Sequence, residues 1–459
     1  MLLRFRLANY RSFRDEAELV LVAGRRTRPG IARRVPWRGD SAEPLAVLPV
    51  VGLFGANASG KSNLLRGLQT MANLVRDSFK RRGLRRSPFG LDSNALDEPS
   101  LFEVDFVLGG VRYQYGFEYL TDAVVKEWLY TFASGRRTTL FERDEPTKVR
   151  FGRSLRGDNS FLAKALARQP TALVISIAEA VDHESLGPIY EWFERNFWLA
   201  DSANRQNRAA YTGHTFRHHP ETRPQLLALL RAADLGVTNI DMTPADPEDV
   251  GRHRQFMREI REVIARTDPG QEVDLQELDE EDLATVVLIH EYEGMKLTLE
   301  LHDESLGTQV WLSVLGPVVD ALSSGAVLLA DEIDSSLHPL LVAKLVELFQ
   351  NRRTNPNGAQ LIFNAQDPTP LGPYAGEEPL GRDQVWFTEK DRTGRSTLKA
   401  LADFDPRTTD NIELGYLRGR YGAIPSLNWH EFEELADLRT LASNESESRD
   451  ARDAATTSR

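Results

Sequence analysis

The sequence contains no cysteine, which excludes disulfide bonds, thiolate metal ligands and cysteine nucleophiles. It also contains no run of about 18 apolar residues, the length that a membrane-spanning helix needs. The N-terminal stretch MLLRFRLANYRSF carries arginines within its apolar part and has no small-residue cleavage site, so it does not resemble a signal peptide. These absences favour a cytoplasmic protein without a membrane partner, although many secreted bacterial proteins also lack cysteine.

Net positive charge is lacking as well. The formal net charge is -12, which argues against a general affinity for nucleic acid. Basic residues are nevertheless concentrated in two segments, with six arginines at 25–38 and five basic residues at 80–86, and acidic residues cluster at 272–282. The basic segments are compatible with a local groove for DNA or RNA or with solvated loops. The acidic run is compatible with a solvated loop, a partner surface or a metal site.

The pattern of apolar residues changes several times along the chain, whose 459 residues suffice for about two to four domains. Short alternating runs at 101–152 predict an antiparallel meander, and helical spacing at 158–267 predicts a helical insertion. Residues 285–301 predict a hairpin that turns at Glu293 and Gly294. We therefore predict four regions: an α/β lobe with the meander at 1–157, a mainly helical insertion at 158–284, a second α/β lobe at 285–430, and a short helix with a disordered tail at 431–459.

The stretch LFGANASGKSNLL at 53–65 contains G-x-x-x-x-G-K-S, the pattern of a loop that binds phosphates. A continuous apolar run at 46–53 precedes it, as in a buried strand, and apolar residues at helical spacing follow it, which is the context that this loop requires. Lys61 would reach the β- and γ-phosphates of ATP, and the Ser62 hydroxyl would bind Mg²⁺. The predicted nucleotide-binding residues of this loop are Gly55, Ala56, Asn57, Ala58, Ser59, Gly60, Lys61, Ser62 and Asn63.

A second motif, VLLADE at 327–332, describes a buried strand that ends in two carboxylates. Asp331 would bind Mg²⁺ through its water shell, and Glu332 would act as the general base that activates the attacking water. Apolar residues followed by Asp-Glu are a weak signal alone, but their pairing with the phosphate loop is strong. The alternative is that Glu332 is a surface acid at the end of a strand.

The long interval between these two motifs is similar to the ABC-type ATPase heads of the SMC and RecF group. In such heads a Ser/Gly signature at a helix N-terminus contacts the γ-phosphate that the opposite subunit holds. The stretch DESLGTQV at 303–310 has the matching place, so the resemblance implies this role for Ser305 and Gly307. A helix N-cap at Ser305 or Thr308 is the alternative. Asp334 falls where the D-loop acid of ABC-type dimers lies.

Six stretches occur in an order that resembles the bacterial AAA-family ATPases grouped as AAA15/AAA21: NYRSF, GANASGKSNLL, ESLGT, LLADEIDSSLHPLL, LIFNAQD and YLRGRYGAIP. That group includes RloA-like and abortive-infection (AbiLii-like) ATP-binding proteins, relatives of the OLD-family ATPase head. The resemblance covers about residues 1–430 and implies an α/β P-loop NTPase of the ABC/SMC-head type, with an antiparallel β subdomain and a helical insertion, that dimerises around two ATP molecules. It also implies phage defence or restriction-linked work with a separate effector. Arg11 in NYRSF matches a position near nucleotide phosphate in SMC-like heads, or is only a loop arginine.

One position departs from this group, whose members commonly read TTHD after the strand that follows the Asp-Glu strand. This chain has NAQD, which places Gln366 where a histidine senses the γ-phosphate. The glutamine amide donates a hydrogen bond, but unlike histidine it does not take up a further proton and stays uncharged at neutral pH. We therefore expect slow hydrolysis, with nucleotide binding and the dimer state carrying the signal.

Two further stretches have less specific interpretations. OLD-type proteins often carry a C-terminal Toprim nuclease, but the residues after GAIP hold only one short amphipathic helix and a polar tail, so we expect no nuclease in this chain. His214, His218 and His219 lie in GHTFRHHP, which could form a metal or phosphate site. A polar loop before a helix is the plainer interpretation.

The lead hypothesis is an ATP-binding and ATP-hydrolysing switch, in which two heads enclose ATP and Mg²⁺ and act on a partner effector. A RecF/SMC-like ATPase that repairs or binds DNA is the second, and its DNA affinity would fall steeply with salt. A scaffold that does not hydrolyse ATP is the third, because of Gln366. The absence of long heptads argues against true SMC arms.

Overall fold

The computed structural model describes residues 1–24, 27–38, 43–81, 83–244, 284–373, 378–407 and 409–425. Its strands are β1 Leu2–Ala8, β2 Ala17–Val20, β3 Arg33–Val35, β4 Leu45–Val47, β5 Val50–Phe54, β6 Ser100–Leu108, β7 Val111–Tyr119, β8 Val124–Thr131, β9 Thr138–Glu145, β10 Lys148–Phe151, β11 Phe197–Ala200, β12 Val237–Thr243, β13 Thr285–Tyr292, β14 Met295–Glu300, β15 Val327–Ala330, β16 Gln360–Asn364, β17 Val385–Lys390 and β18 Ser396–Ala400. Residues Met1–Ala423 form one compact unit and Ile424–Arg459 a second.

The α-helices are α1 Lys61–Asp77, α2 Ser93–Asp97, α3 Asn159–Arg168, α4 Val174–Glu179, α5 Gly187–Arg195, α6 Arg205–His218, α7 Arg223–Ala232, α8 Leu306–Ser324, α9 Pro339–Gln350 and α10 Ile412–Leu417. Short 3₁₀ helices cover Ser202–Asn204, Leu301–Asp303, Thr369–Leu371, Arg382–Gln384 and Leu401–Phe404.

The main sheet has the order β11-β15-β16-β5-β17-β18. Its first five strands run parallel, and β18 pairs antiparallel with β17. Strands β5, β15 and β16 are buried along their whole length, as expected for parallel strands covered on both faces. Because the carboxyl ends of parallel strands meet at one edge, the phosphate loop after β5 and the carboxylates after β15 are brought to the same edge.

A second, antiparallel sheet has the order β10-β9-β8-β7-β6-β1-β2, which confirms the predicted meander. Helix α1 packs between the two sheets: its buried apolar residues belong to the same core as side chains from β1, β6, β5 and β16. A third sheet, β12-β13-β14, contains the predicted hairpin at 285–301. Its turn is confirmed at Glu293 and Gly294, whose φ angles of 49° and 83° suit a tight hairpin.

The helical prediction is wrong at one point that matters for the site. The stretch YEWFERNFWLA reads as one helix, but α5 ends at Arg195 and residues Phe197–Ala200 form β11 beside β15. Tertiary pairing with the distant β15 overrides the local helical pattern there. The polar-loop interpretation of GHTFRHHP is also wrong, because His214 and His218 lie on α6 with their rings 4.3 Å apart.

Other predictions lie outside the described residues: the helical stretch RQFMREIREVIAR at 254–266, the acidic run at 272–282, and the terminal helix and tail at 431–459. In the part of the chain that the structure describes, no cluster of three or more His, Asp or Glu side chains could hold a metal. The division into four regions stays a prediction.

A buried ion pair fastens the helical segment to the meander. Glu127 on β8 accepts hydrogen bonds from Tyr115 Oη at 2.9 Å and from Val174 N at 2.9 and 3.0 Å. Arg143 on β9 lies 3.3 Å from Glu127 and donates to the carbonyl of Ala172 at 2.7 Å. Burial raises the pKa of Glu127, and Arg143 opposes that shift. Every polar group in this cluster therefore depends on the others.

Replacing Glu127 with alanine should lower the free energy of unfolding by about 3–5 kcal/mol, because it leaves the Arg143 guanidinium buried without its carboxylate. Urea denaturation followed by circular dichroism measures this. Glu118→Ala is the matched control. Glu118 on β7 pairs with the half-exposed Lys126 on β8, and we expect its removal to change the free energy of unfolding by less than about 1 kcal/mol. Equal effects of the two substitutions would contradict the structural role of Glu127.

Candidate nucleotide-binding site

The phosphate loop follows a path that only glycine permits at its two ends. Gly55 and Gly60 have φ angles of 152° and 117°. A Cβ atom at Gly55 would clash with the carbonyl of Thr388, and one at Gly60 would clash with the side chain of Ser396. Positive φ and close backbone approach both favour glycine. Strands β17 and β18 therefore support the loop from one side.

Hydrogen bonds fix the base of the loop and leave its crest exposed. Ser59 Oγ lies 2.6 Å from Thr388 Oγ1, and Ser396 Oγ donates to the Ser59 carbonyl at 2.6 Å. Ala56 N donates to the Ala423 carbonyl at 2.7 Å, so the chain at Ala423 contacts the start of the loop. Asn57 and Ala58 at the crest are exposed. The loop is therefore held in shape by its surroundings while its crest stays open to a ligand.

The Lys61 side chain points back over the phosphate loop that precedes it. Its Nζ donates to the carbonyls of Gly55 at 2.6 Å and Ala56 at 3.1 Å, and only 6% of the residue is exposed. Burial lowers the pKa of Lys61, and the neighbouring carboxylates, with Asp334 first, oppose that shift. The predicted phosphate-binding lysine and the carboxylates after β15 are thus electrostatically coupled in one site.

Ser62 and Asp331, the two predicted magnesium ligands, meet directly. Ser62 Oγ donates to Asp331 Oδ1 at 2.6 Å, and Arg66 Nη2 on α1 lies 3.5 Å from Asp331 Oδ2. A hydroxyl and a carboxylate are hard oxygen donors of the kind that Mg²⁺ binds. The residues present therefore fit a magnesium ion, which Ser62 and Asp331 would hold.

Asn364, the last residue of β16, was not predicted as a site residue. It is fully buried, and its Nδ2 donates to Asp331 Oδ1 and lies 3.4 Å from Ser62 Oγ. Its Oδ1 accepts a hydrogen bond from Glu332 N at 2.5 Å. The sequence signal that could have found it is an asparagine directly after the apolar residues of LIFN, which predict a buried strand. The position of that strand between β5 and β15 is visible only in the structure. Asn364 orients both carboxylate residues from beneath.

Glu332, Gln366 and Asp334 also lie together. Gln366 Nε2 donates to Glu332 Oε1 at 3.1 Å, and Asp334 Oδ2 accepts from the backbone N–H groups of Gln366 at 2.8 Å and Asp367 at 2.6 Å. Glu332 has a φ of 57°, which is unfavourable for a side chain with a Cβ and is typical of functional sites. This geometry favours the catalytic prediction for Glu332 over an isolated surface acid.

The NYRSF turn reaches the phosphate loop through Ser12. Asn63 Nδ2 donates to Ser12 Oγ at 2.8 Å, and Ser396 N donates to the Ser12 carbonyl at 2.7 Å. Arg11 itself is exposed, has a φ of 51°, and places its Nε 3.2 Å from Tyr10 Oη. Among the described residues no hydrogen bond joins Arg11 to the loop, so its contact with phosphate stays a prediction.

Ser305 serves as the N-cap of α8, because its Oγ accepts from Thr308 N at 3.2 Å. The helix-cap interpretation is therefore confirmed, and it does not exclude a second role across a dimer. A Cβ at Gly307 would lie 3.1 Å from the Ser336 carbonyl, so the start of α8 packs against the turn after Glu332. Within the described chain, Ser305 and Gly307 make no hydrogen bond with the phosphate loop.

A family model described as "AAA domain, putative AbiEii toxin, Type IV TA system" matches residues 50–369, a span that includes both the phosphate loop and the carboxylates after β15. The chain belongs to this AAA_21 family. Its fold is accordingly that of an α/β P-loop NTPase, and the family assignment supports nucleotide binding by the site described above.

Solved structures similar to this AAA_21 member include a SmcHead bound to the C-winged helix domain of ScpA (11% identity, TM-score 0.40, covering 87% of this chain and 97% of that chain) and the SMC head domain from Thermotoga maritima (10%, 0.37, 87% and 98%). A third is an Smc head domain with an extended coiled coil bound to the C-terminal domain of ScpA derived from Pyrococcus furiosus (11%, 0.35, 88% and 97%). None of the curated proteins matches the chain. No described helix is both long and apolar enough to cross a membrane.

The basic segment at 80–86 of this AAA_21 member is partly used inside the protein. Arg86 donates to the backbone carbonyls of Leu96 and Ala95 at 2.7 and 3.0 Å, and Arg81 forms a 2.9 Å ion pair with Asp77. Arg85 is exposed. Of the described arginines in this segment, Arg81 and Arg86 therefore have partners within the protein, and Arg85 faces solvent.

Proposed function

We propose that this AAA_21 chain is a magnesium-dependent ATPase that works as a nucleotide-dependent switch. The observation that carries the proposal is the convergence at one sheet edge of Lys61, the Ser62–Asp331 pair and the Glu332–Gln366 pair. Each pair joins residues that are far apart in sequence but meet at the carboxyl ends of β5, β15 and β16. A structural role alone gives no reason for these residue types to meet there.

The proposed roles follow from the chemistry of each group. Lys61 binds the β- and γ-phosphates of the substrate ATP, and Ser62 and Asp331 hold Mg²⁺. When bound, the magnesium ion neutralises phosphate charge. Glu332 accepts a proton from the attacking water, whose oxygen bonds to the γ-phosphorus while the bond to the bridging oxygen breaks and leaves ADP and phosphate.

Gln366 favours slow turnover. Its amide holds Glu332 at 3.1 Å, and its backbone is held by Asp334. A neutral amide orients the base but cannot donate a proton at neutral pH. We therefore propose that the ATP-bound state is long-lived and that this state, rather than rapid hydrolysis, is what a partner recognises.

We further propose that two copies close around ATP, with Ser305 and Gly307 of one copy at the phosphates held by the other. The exposed start of α8 and the exposed crest of the phosphate loop support this arrangement, because neither is covered within the described chain. Asp334 orders the turn that carries Gln366, and its Oδ1 is buried without a partner among the described residues. Closure would thus complete a site that one copy only half builds.

The family description names a putative AbiEii toxin and a Type IV TA system, and we propose that this chain acts in phage defence together with a separate effector protein. Cells that carry this chain together with its neighbouring genes should plate phage less efficiently, and Lys61→Ala should restore plating. Unchanged plating in the presence of the intact genes would contradict the defence role. The ATPase assignment would then be tested separately, by measuring ATP hydrolysis with the purified protein.

The second candidate, a DNA-bound ATPase, predicts salt-dependent DNA binding that falls when Arg81 and Arg85 are both replaced by alanine. We expect no large loss, because Arg81 is paired with Asp77 and Arg85 alone would supply a single phosphate contact. Fluorescence anisotropy with labelled duplex DNA at two salt concentrations decides this. Arg86 is left intact because it binds backbone carbonyls.

Asn364→Ala should weaken the magnesium dependence of ATP binding by about 10–100-fold, the usual effect of removing a group that orients a metal ligand. A Mg²⁺ titration of ATP affinity measures this. ATP affinity in EDTA serves as the internal control and should not change. An equal loss with and without Mg²⁺ would show that Asn364 supports the fold rather than the metal ligands.

A further inference from the structure

Helix α8, whose N-cap is Ser305, contains a proline in its interior. Pro317 lies inside the helix and has no N–H, so the carbonyl of Ser313 four residues earlier loses its helical donor. Both residues are buried. A buried carbonyl without a donor is costly, so a neighbouring element must supply one.

Helix α6 supplies it. Arg208 Nε donates to the Ser313 carbonyl at 3.3 Å, and Arg208 Nη2 lies 3.3 Å from Ser313 Oγ. One turn later, Thr212 Oγ1 accepts from Gly316 N at 3.0 Å, and its proton lies within reach of the Leu312 carbonyl at 2.9 Å and of the Arg208 carbonyl on its own helix at 3.0 Å. The hydroxyl therefore joins α6 to the backbone in the middle of α8. A Cβ at Gly316 would lie 2.7 Å from Thr212 Oγ1, so the close approach also requires glycine.

The other side of Arg208 is tied to the sheet edge that carries the nucleotide site. Its guanidinium donates to the Asp201 carbonyl and lies 3.8 Å from Asp201 Oδ1. Asp201 directly follows β11, and the neighbouring Ala200 carbonyl accepts from Asp331 N at 2.8 Å. Hydrogen bonds therefore link the middle of α8 through Arg208 to the backbone at Ala200–Asp201, and from there to the backbone N–H of Asp331.

The same three elements enclose one cleft. It is lined by Arg205 and Arg208 of α6, Val310 and Val314 of α8, and the segment after β15 that contains Asp331 and Glu332. A shift of Glu332 or Asp331 would therefore press on α6 and α8 together. Packed interfaces of this kind pass small shifts from one element to the next.

We propose that Arg208 and Thr212 are positioning residues that set helix α8, and with it Ser305 and Gly307, relative to Asp331 and Glu332. This inference rests on the proposed ATPase function and goes beyond it by naming the coupling between the two halves of the composite site. Neither residue touches ATP in this proposal. Arg208 carries the link to the sheet edge, and Thr212 holds the middle of α8 against α6.

The test compares Thr212→Val with Thr212→Ser in the full chain. Valine keeps the shape and removes the hydroxyl, whereas serine keeps the hydroxyl. We expect Thr212→Val to retain ATP affinity within about twofold and to lose about tenfold or more in kcat, because a small misplacement of catalytic groups costs up to about 10²-fold. Thr212→Ser should restore kcat. Arg208→Lys should resemble Thr212→Val, since one ammonium cannot bridge Ser313 and Asp201.

A second readout does not depend on turnover. Hydrogen–deuterium exchange over residues 306–317 should slow on addition of ATP and Mg²⁺ in the wild type and in Thr212→Ser, but not in Thr212→Val. Equal kcat and equal exchange in the two Thr212 variants would overturn the inference, and so would a parallel loss of ATP affinity and kcat. If the wild type binds ATP without hydrolysing it, the proposed ATPase function fails, and the exchange comparison still decides the coupling.

Discussion

Replacing Lys61 with alanine is expected to abolish ATP binding at millimolar nucleotide. The ammonium would make charge-assisted hydrogen bonds to phosphate worth about 1.5–3 kcal/mol each, so losing two of them weakens binding by at least about 100-fold. Isothermal titration calorimetry with ATP and Mg²⁺ measures the loss. The fold should survive, because Lys61 bonds only to carbonyls of its own loop.

Lys344→Ala is the matched control. Lys344 is an exposed lysine on α9 that pairs with Glu347 at 2.6 Å, and its removal should leave ATP affinity unchanged. Retained ATP binding in the Lys61 variant would show that the loop does not bind phosphate in the way proposed. A loss of binding in both variants would point to a general effect of lost positive charge.

Replacing Glu332 with glutamine is expected to lower kcat by about 10²–10⁴-fold, the usual contribution of a general base, while ATP affinity stays near that of the wild type. Glutamine has the same size and still accepts the hydrogen bond from Gln366, so the geometry is kept. Phosphate release at saturating ATP gives kcat, and filter binding gives the retained nucleotide. ATP should accumulate on the variant protein.

Glu347→Gln on the surface of α9 is the control for a lost carboxylate and should keep full turnover. A Glu332 variant with wild-type kcat would rule out the general-base role. In that case the contact between Gln366 and Glu332 would serve only to order the segment after β15.

Local patterns were sufficient to predict the phosphate loop, the buried strand directly before it and the hairpin at Glu293 and Gly294, although the apolar run at 46–53 is divided at Pro49 between β4 and β5, which belong to different sheets. Each of these depends on a few consecutive residues whose conformational demands are specific: glycines at positive φ, unbroken apolar runs, and a turn pair. The signature stretch was also visible, although its sequence could not separate a helix cap from a trans contact. The structure confirms the cap and leaves the trans contact as a proposal.

Features that depend on distant pairing could not be predicted. Phe197–Ala200 continues an amphipathic pattern and becomes a strand only because β15 lies beside it. Asn364 is a neutral residue at a strand end, and its role becomes visible only once β16 is placed between β5 and β15. Pro317 is readable in the sequence, but the residues on α6 that contact the backbone of α8 beside it are not.

The absence of cysteine makes one decisive measurement straightforward, since every introduced thiol is unique in the chain. One preparation carries Asn57→Cys at the crest of the phosphate loop, another carries Ser305→Cys at the start of α8, and both carry Glu332→Gln to retain ATP. The two are mixed and treated with a short bismaleimide, and the products are separated by mass. Each preparation alone is the control.

If the nucleotide site closes between two copies, the mixture should give a covalent dimer joining Cys-substituted positions 57 and 305 with ATP and Mg²⁺, and little of it with ADP. If no such covalent dimer forms in the presence of ATP and Mg²⁺, although both chains are shown to bind ATP, the composite site is contradicted. Each chain would then bind nucleotide alone.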